Sequence, residues 1–249
     1  ILNGYAGTGK TTVVGALVKA LGERNVPVVL MAPTGRAAKV LAAACRHTAF
    51  TIHRRIYRGD AGFTSLQENC LTDAVFIVDE ASMISNDNSE GVNLLWDLIH
   101  YVFSGINCKL IFVGDSAQLP PVGYIESPAL SPEVLRSLGL HTTRVVITEP
   151  ARQKRQSGIL YNATRQRIAM KQEPMPLPVI YASPFPDIRI IESPEDLGDE
   201  VMADYRSAPD GMAETILIAR SNRRATEFNA AVRRFILGFE EELAVGERL

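Results

Sequence analysis

Gly4-Tyr5-Ala6-Gly7-Thr8-Gly9-Lys10-Thr11 is the stretch on which the reading of the whole chain turns. It fits G-x-x-x-x-G-K-[ST] in full. It also sits where that pattern has physical meaning, behind the apolar run Ile1-Leu2 and ahead of an amphipathic stretch whose spacing predicts a helix over 10–24. Glycines let such a loop wrap closely, so that backbone N–H groups point at phosphate oxygens. The helix N-terminus adds partial positive charge. Lys10 would reach the outer phosphates of a nucleotide, and the Thr11 hydroxyl would ligate Mg²⁺. Gly4, Ala6, Gly7, Thr8, Gly9 and Thr12 complete the expected cradle. The plain alternative, a glycine-rich turn, explains neither the strand before it nor the helix after it.

Downstream, Val75-Phe76-Ile77-Val78-Asp79-Glu80 is an apolar strand that ends in adjacent carboxylates. Acids at the carboxyl end of a buried strand are unfavourable unless something binds them. In an open α/β sheet, that edge is where ligands sit. Asp79 would hold Mg²⁺, and Glu80 would orient and deprotonate an attacking water. Helix capping is the competing use of such acids, although Ser82 and Ser85 could also cap.

A second apolar strand, over 109–113, runs into Gly114-Asp115-Ser116-Ala117-Gln118-Leu119-Pro120-Pro121-Val122-Gly123. Gln118 could sense a terminal phosphate, and the prolines would stiffen the loop that carries it. A proline-rich surface turn is the alternative. Arg152, in Thr148-Glu149-Pro150-Ala151-Arg152-Gln153, could stabilise charge on a transferring phosphoryl group, or be a solvated surface residue.

Further out, short β-branched runs at 27–31, 74–78, 109–113, 144–147, 188–191 and 215–218 alternate with helical patterns at 10–24, 36–45, 91–103, 159–171, 194–205 and 223–237. That rhythm predicts an α/β fold with a parallel sheet and right-handed crossovers. Pro174, Pro176, Pro178, Pro184 and Pro186 crowd one irregular stretch. The expected organisation is a nucleotide-binding unit over 1–150 and an incomplete second α/β unit over 151–249. With 46% apolar and 22% charged residues the chain can bury its own core. A net charge of −2 excludes a globally basic nucleic-acid footprint, so any such contact must be a local patch. Cys45, Cys70 and Cys108 form no C-x-x-C pair, which argues against zinc and fits a reducing cytoplasm. No apolar run is long enough for a membrane span.

Together these blocks resemble the superfamily one DNA helicases, most closely the RecD-like and Dda-like branch. Residues 4–12 look like motif I. Ala32-Pro33-Thr34-Gly35-Arg36-Ala37-Ala38 looks like motif Ia, and Thr51-Ile52-His53 like the short motif that follows it. Val78-Asp79-Glu80-Ala81-Ser82-Met83 looks like motif II. The Gly114–Gly123 block looks like motif III, and Arg152-Gln153 like motif IV. The resemblance implies RecA-like units, ATP and Mg²⁺ as ligands, and 5′-to-3′ travel along single-stranded DNA. It makes Arg152 a γ-phosphate arginine and Thr34, Gly35 and His53 DNA contacts. The alternatives for the last set are a strand-to-helix cap for Thr34 and a satisfied core residue for His53.

The resemblance also implies parts that do not fall within 1–249: an upstream glutamine motif that reads adenine, motifs V and VI, and a small inserted β-domain. Unwinding by this stretch alone is therefore not expected. DNA repair or recombination is the implied setting, with nuclease-complex subunits as candidate partners. Two rival functions stand beside the motor: a P-loop kinase or other NTPase with no nucleic-acid track, and a nucleotide-binding subunit of an exonuclease complex.

Overall fold

The computed structural model describes residues 1–5, 7–59, 65–87, 93–148, 157–170, 172–207 and 215–239. The chain divides into two compact units, Ile1–Pro178 and Val179–Leu249. The elements of the first are β1 (Leu2–Gly4), α1 (Lys10–Gly22), β2 (Val28–Ala32), α2 (Gly35–Cys45), β3 (Ala49–Thr51), α3 (Ile52–Ile56), β4 (Tyr57–Arg58), β5 (Ser65–Leu66), β6 (Val75–Val78), α4 (Leu94–Ser104), β7 (Lys109–Gly114), α5 (Pro132–Ser137), β8 (Val145–Ile147) and α6 (Gly158–Ala169). Six strands form one sheet in the order β3-β2-β6-β7-β1-β8, and every neighbouring pair is parallel. β4 and β5 form a separate antiparallel pair.

The strands read as unbroken apolar runs because helices cover both faces of the sheet. Side chains alternate between two cores. Val29, Met31, Phe76, Val78 and Phe112 pack with Leu95, Leu98 and Val102 of α4. Leu30, Val75, Ile77 and Val113 pack with Val14 and Val18 of α1 and Leu41 of α2. Helix starts follow from local chemistry. Thr34 caps α2 by accepting from the Ala37 N–H at 3.2 Å, and Asn93 caps α4 by accepting from the Trp96 N–H at 3.0 Å.

The second unit departs from expectation. Its helices are present, as α7 (Pro194–Ser207) and α8 (Asn222–Ala231), the latter continuing into a π-turn over Val232–Ile236. The strands expected at 188–191 and 215–218 are not formed, and no strand occurs among the described residues of this unit. Ile190, Ile216 and Ile218 are 60%, 66% and 91% exposed, and among the described residues neither run pairs with a neighbouring strand that would take up its backbone groups. The division between units falls after Pro178, inside the proline-crowded stretch. No helix among the described residues is long and apolar enough to cross a membrane.

Leu98 is fully buried between α4 and the sheet. Leu98→Ala should destabilise the first unit by about 3 kcal/mol, within the ~2–5 kcal/mol span of buried leucine truncations. Denaturant unfolding checks this, and a loss below about 1 kcal/mol would mean that this face is not packed as described.

Candidate nucleotide site

Register brings the site together. β7 lies between β1 and β6, with Asn3 opposite Gly114 and Val78 opposite Phe112. Parallel strands end on one edge, so the segments after β1, β6 and β7 emerge side by side. Asn3, 4% exposed, stitches two of them: its Nδ2 donates to Ser116 Oγ at 3.1 Å, and its Oδ1 accepts from the Ser116 N–H at 3.2 Å.

In the phosphate loop, Gly9 has φ +82° at the residue before α1, a conformation that side chains resist. Gly4 is a matter of space. A Cβ there would come within 2.7 Å of Lys10 Cγ and 2.8 Å of Thr8 Oγ1. Thr8, nearly buried, donates its hydroxyl to the Tyr5 carbonyl at 2.7 Å. Lys10 Nζ donates to the carbonyls of Gly4 at 2.9 Å and Tyr5 at 3.2 Å, which draws the ammonium back over the loop. Thr11 is partly and Thr12 largely exposed at the start of α1. Gly7 has φ +76°. Ala6 lies outside the described residues.

Asp79 is 8% exposed, and its Oδ1 accepts from the Glu80 N–H at 2.9 Å. Burial pushes its carboxyl above the ordinary carboxylate value, opposed by that hydrogen bond and by the Lys10 charge. Glu80 is also raised, first by burial and then by Asp79; Lys10 opposes this and Asp115 adds to it. Lys10 therefore acts electrostatically on both acids. Glu80 precedes a single 3₁₀ turn, Ala81–Met83, yet makes no side-chain capping bond there, so the capping use of this acid is not realised.

Gln118 is exposed, but its Oε1 accepts from Ser82 Oγ at 3.1 Å, which ties the loop after β7 to the turn after β6. Thr34 and Gly35 follow β2, and His53 follows β3, the strand paired with it. All three are exposed. Thr34 does cap its helix, as its plain alternative held. His53 is no core residue; its ring lies 5.7 Å from that of Tyr57. Arg152 lies outside the described residues.

Sequence reading passed over Arg167. From α6, its Nη2 donates to Asp115 Oδ1 at 2.7 Å and Oδ2 at 2.6 Å. Its guanidinium sits 3.8 Å from the centroid of the Tyr5 ring. Arg165-Gln166-Arg167 reads as an ordinary polar helix stretch. The one sequence signal was on the partner's side: a carboxylate, Asp115, directly after a buried strand, which required a cation from somewhere.

The residues fit Mg²⁺-nucleotide. The loop is built too tightly at Gly4 for any side chain, and next to it lie acids whose burial no cation fully offsets. A parallel sheet whose strand feeds a glycine loop and helix, with the buried Asp79 and half-buried Glu80 directly after a strand two places away, defines an α/β domain of the phosphate-loop nucleotide-binding class. Comparison with known proteins narrows this. Residues 1–167 match the AAA domain family, and the chain belongs to it.

Among curated relatives, it is 38% identical over 125 residues to the ATP-dependent RecD2 DNA helicase of Deinococcus radiodurans, covering 49% of this chain and 16% of that protein. It is 34% identical over 146 residues to the RecBCD enzyme subunit RecD of Mycobacterium tuberculosis, covering 49% of this chain and 24% of that protein. These relatives are of the branch to which the motifs pointed. The chain thus spans a quarter or less of the length of these two relatives. Among solved structures, the Pif1 helicase from Candida albicans aligns over 97% of this chain and 51% of its own, at 17% identity and a TM-score of 0.47.

A carboxyl that holds its proton more tightly in the folded than in the unfolded chain stabilises the fold at low pH. That contribution is lost as pH rises from the unfolded value through the folded one. Asp79 is such a group. Without nucleotide and Mg²⁺, Asp79→Asn keeps the acceptor for the Glu80 N–H and should melt above wild type at neutral pH. The advantage should shrink as pH falls through the raised folded value of Asp79 and be gone once pH is below the ordinary carboxylate value. Thermal melts across pH test this; a variant that melts lower at neutral pH would contradict the assignment of an uncompensated buried charge.

Proposed function

We propose that the chain is the ATP-hydrolysing part of a DNA helicase motor that moves along single-stranded DNA. The observation that carries the reading is the juxtaposition on one sheet edge of the Lys10 loop, the Asp79-Glu80 pair and Gln118, with Lys10 acting on both acids. In this reading Lys10 leaves its carbonyl perch for the outer phosphates of ATP. Thr11 and Asp79 hold Mg²⁺, which when bound neutralises phosphate charge. Glu80, whose raised proton affinity makes it the better base, orients the attacking water and takes its proton. Gln118 reports the terminal phosphate to the loop after β7, and Arg152 offsets charge on the transferring group.

Thr34, Gly35 and His53 are proposed as contacts to single-stranded DNA, which their exposure beyond neighbouring strand ends favours. The resemblance adds 5′-to-3′ travel, and the RecBCD name of one relative favours assembly with partner subunits. A DNA-repair or recombination role in the cytoplasm accords with both.

Turnover of Mg-ATP by the intact protein, measured with and without single-stranded DNA, tests the proposal. DNA should stimulate the rate, and Lys10→Ala should lower kcat by about 10²–10³-fold or more, as for loss of a transition-state donor. Unchanged turnover in Lys10→Ala removes the ATPase assignment. Robust turnover indifferent to DNA favours a phosphotransferase or other NTPase without a nucleic-acid track.

A further inference from the structure

Arg167 ties together two segments that the proposed reaction needs, and it does so from a helix outside every motif. On one side it stacks on the Tyr5 ring at 3.8 Å. The Tyr5 carbonyl accepts from Lys10 Nζ at 3.2 Å, from Thr8 Oγ1 at 2.7 Å and from the Thr8 N–H at 3.2 Å. Fixing the ring therefore fixes the backbone on which the phosphate lysine rests. On the other side, Arg167 pairs with both oxygens of Asp115. Asp115 Oδ1 also accepts from the Ala117 N–H at 3.0 Å, and its carbonyl accepts from the Gln118 N–H at 3.0 Å. Fixing the carboxylate therefore fixes the turn that carries Gln118.

The guanidinium is suited to hold and not to swing. Asp115 is 1% exposed and Arg167 16%. Departure of Arg167 toward a phosphate would strand a buried carboxylate, an outcome far more costly than loss of a surface pair. The planar fork that pairs bidentately with a carboxylate while its face covers an aromatic ring is a geometry open to arginine and not to lysine.

We infer that Arg167 is a positioning residue of the nucleotide site, one guanidinium that sets the spacing between the phosphate loop, through Tyr5, and the sensing turn, through Asp115. The inference rests on the ATPase reading above. It requires that loss of Arg167 impair turnover more than nucleotide binding, because the phosphate cradle is local to residues 4–11 whereas hydrolysis needs both segments in register.

The test uses the intact protein and three readouts: steady-state Mg-ATP turnover, the Kd for Mg-ADP, and the melting temperature. Arg167→Met should lower kcat by about 10²-fold, the scale of a 1 Å misplacement, while the Kd for Mg-ADP moves by no more than about threefold. Arg167→Lys should fall between that variant and wild type. Arg167→Met should also melt lower, and adding Asp115→Asn should restore the melting temperature by removing the stranded charge, yet leave kcat low because Tyr5 is still unheld. Tyr5→Leu should reproduce the kcat loss with a melting temperature near wild type, and Tyr5→Phe should keep turnover.

Recovery of kcat together with stability in the double variant, or full turnover in Tyr5→Leu, would overturn the role of Arg167 and reduce it to charge neutralisation. Wild-type protein that takes up no Mg-ATP would instead sink the ATPase reading itself.

Discussion

Everything functional in the first unit depends on the place of β7 between β1 and β6. Parallel pairing gives three strands a common end, and the register sets Gly114 opposite Asn3 and Phe112 opposite Val78. A one-residue slip in any of these ladders would turn every side chain of that strand to the other face. Such a slip is blocked because both faces are packed: Phe112 into the α4 core and Val113 into the α1–α2 core. The hydrophobic cores thus do geometric work. They hold in place the edge on which Lys10, Asp79 and Asp115 are presented.

That edge is held at some energetic expense. Asp79 is buried and its carboxyl raised, and Glu80, at φ +54°, takes a left-handed backbone conformation that a non-glycine residue rarely adopts. Residues of this kind cost about 1–3 kcal/mol each and persist where the surrounding structure over-determines them. The surroundings here are specific. The Glu80 N–H donates to Asp79 Oδ1 at 2.9 Å, and its carbonyl accepts from the Met83 N–H at 3.1 Å. The strained turn follows directly on the strand end that carries Asp79, and Lys10 supplies only part of the charge that would compensate the two acids. A cation bound with the phosphates would supply the rest.

Much of this was legible in the residues because its causes are local. A glycine loop between an apolar run and a helical period, acids ending a strand and a Thr before a helix each carry their physics within a few positions. Two strands expected in the second unit are not formed, for the opposite reason. The runs at 188–191 and 215–218 have strand composition, but a strand exists only against a partner, and composition does not say whether one is present. Arg167 was missed on the same ground. Its meaning lies in Tyr5, far back in the chain, and in Asp115, 52 positions away, and α6 has no strong apolar period to mark one face as special.

The alternatives weighed for Thr34 prove not to exclude each other. As a cap, its Oγ1 uses one lone pair to accept from the Ala37 N–H, and a hydroxyl also has a hydrogen to donate. The side chain is exposed, as are Gly35 and Arg36 beside it, so that hydrogen can reach a phosphate oxygen without loss of the cap. Capping in fact favours such use, because it fixes the rotamer from which the hydroxyl would donate. His53 stands beyond the neighbouring strand β3, exposed and tilted against Tyr57, with Arg54 next to it. In a chain of net charge −2, that short exposed stretch of donors is the kind of local patch a nucleic-acid contact would need, since the average field supplies no attraction.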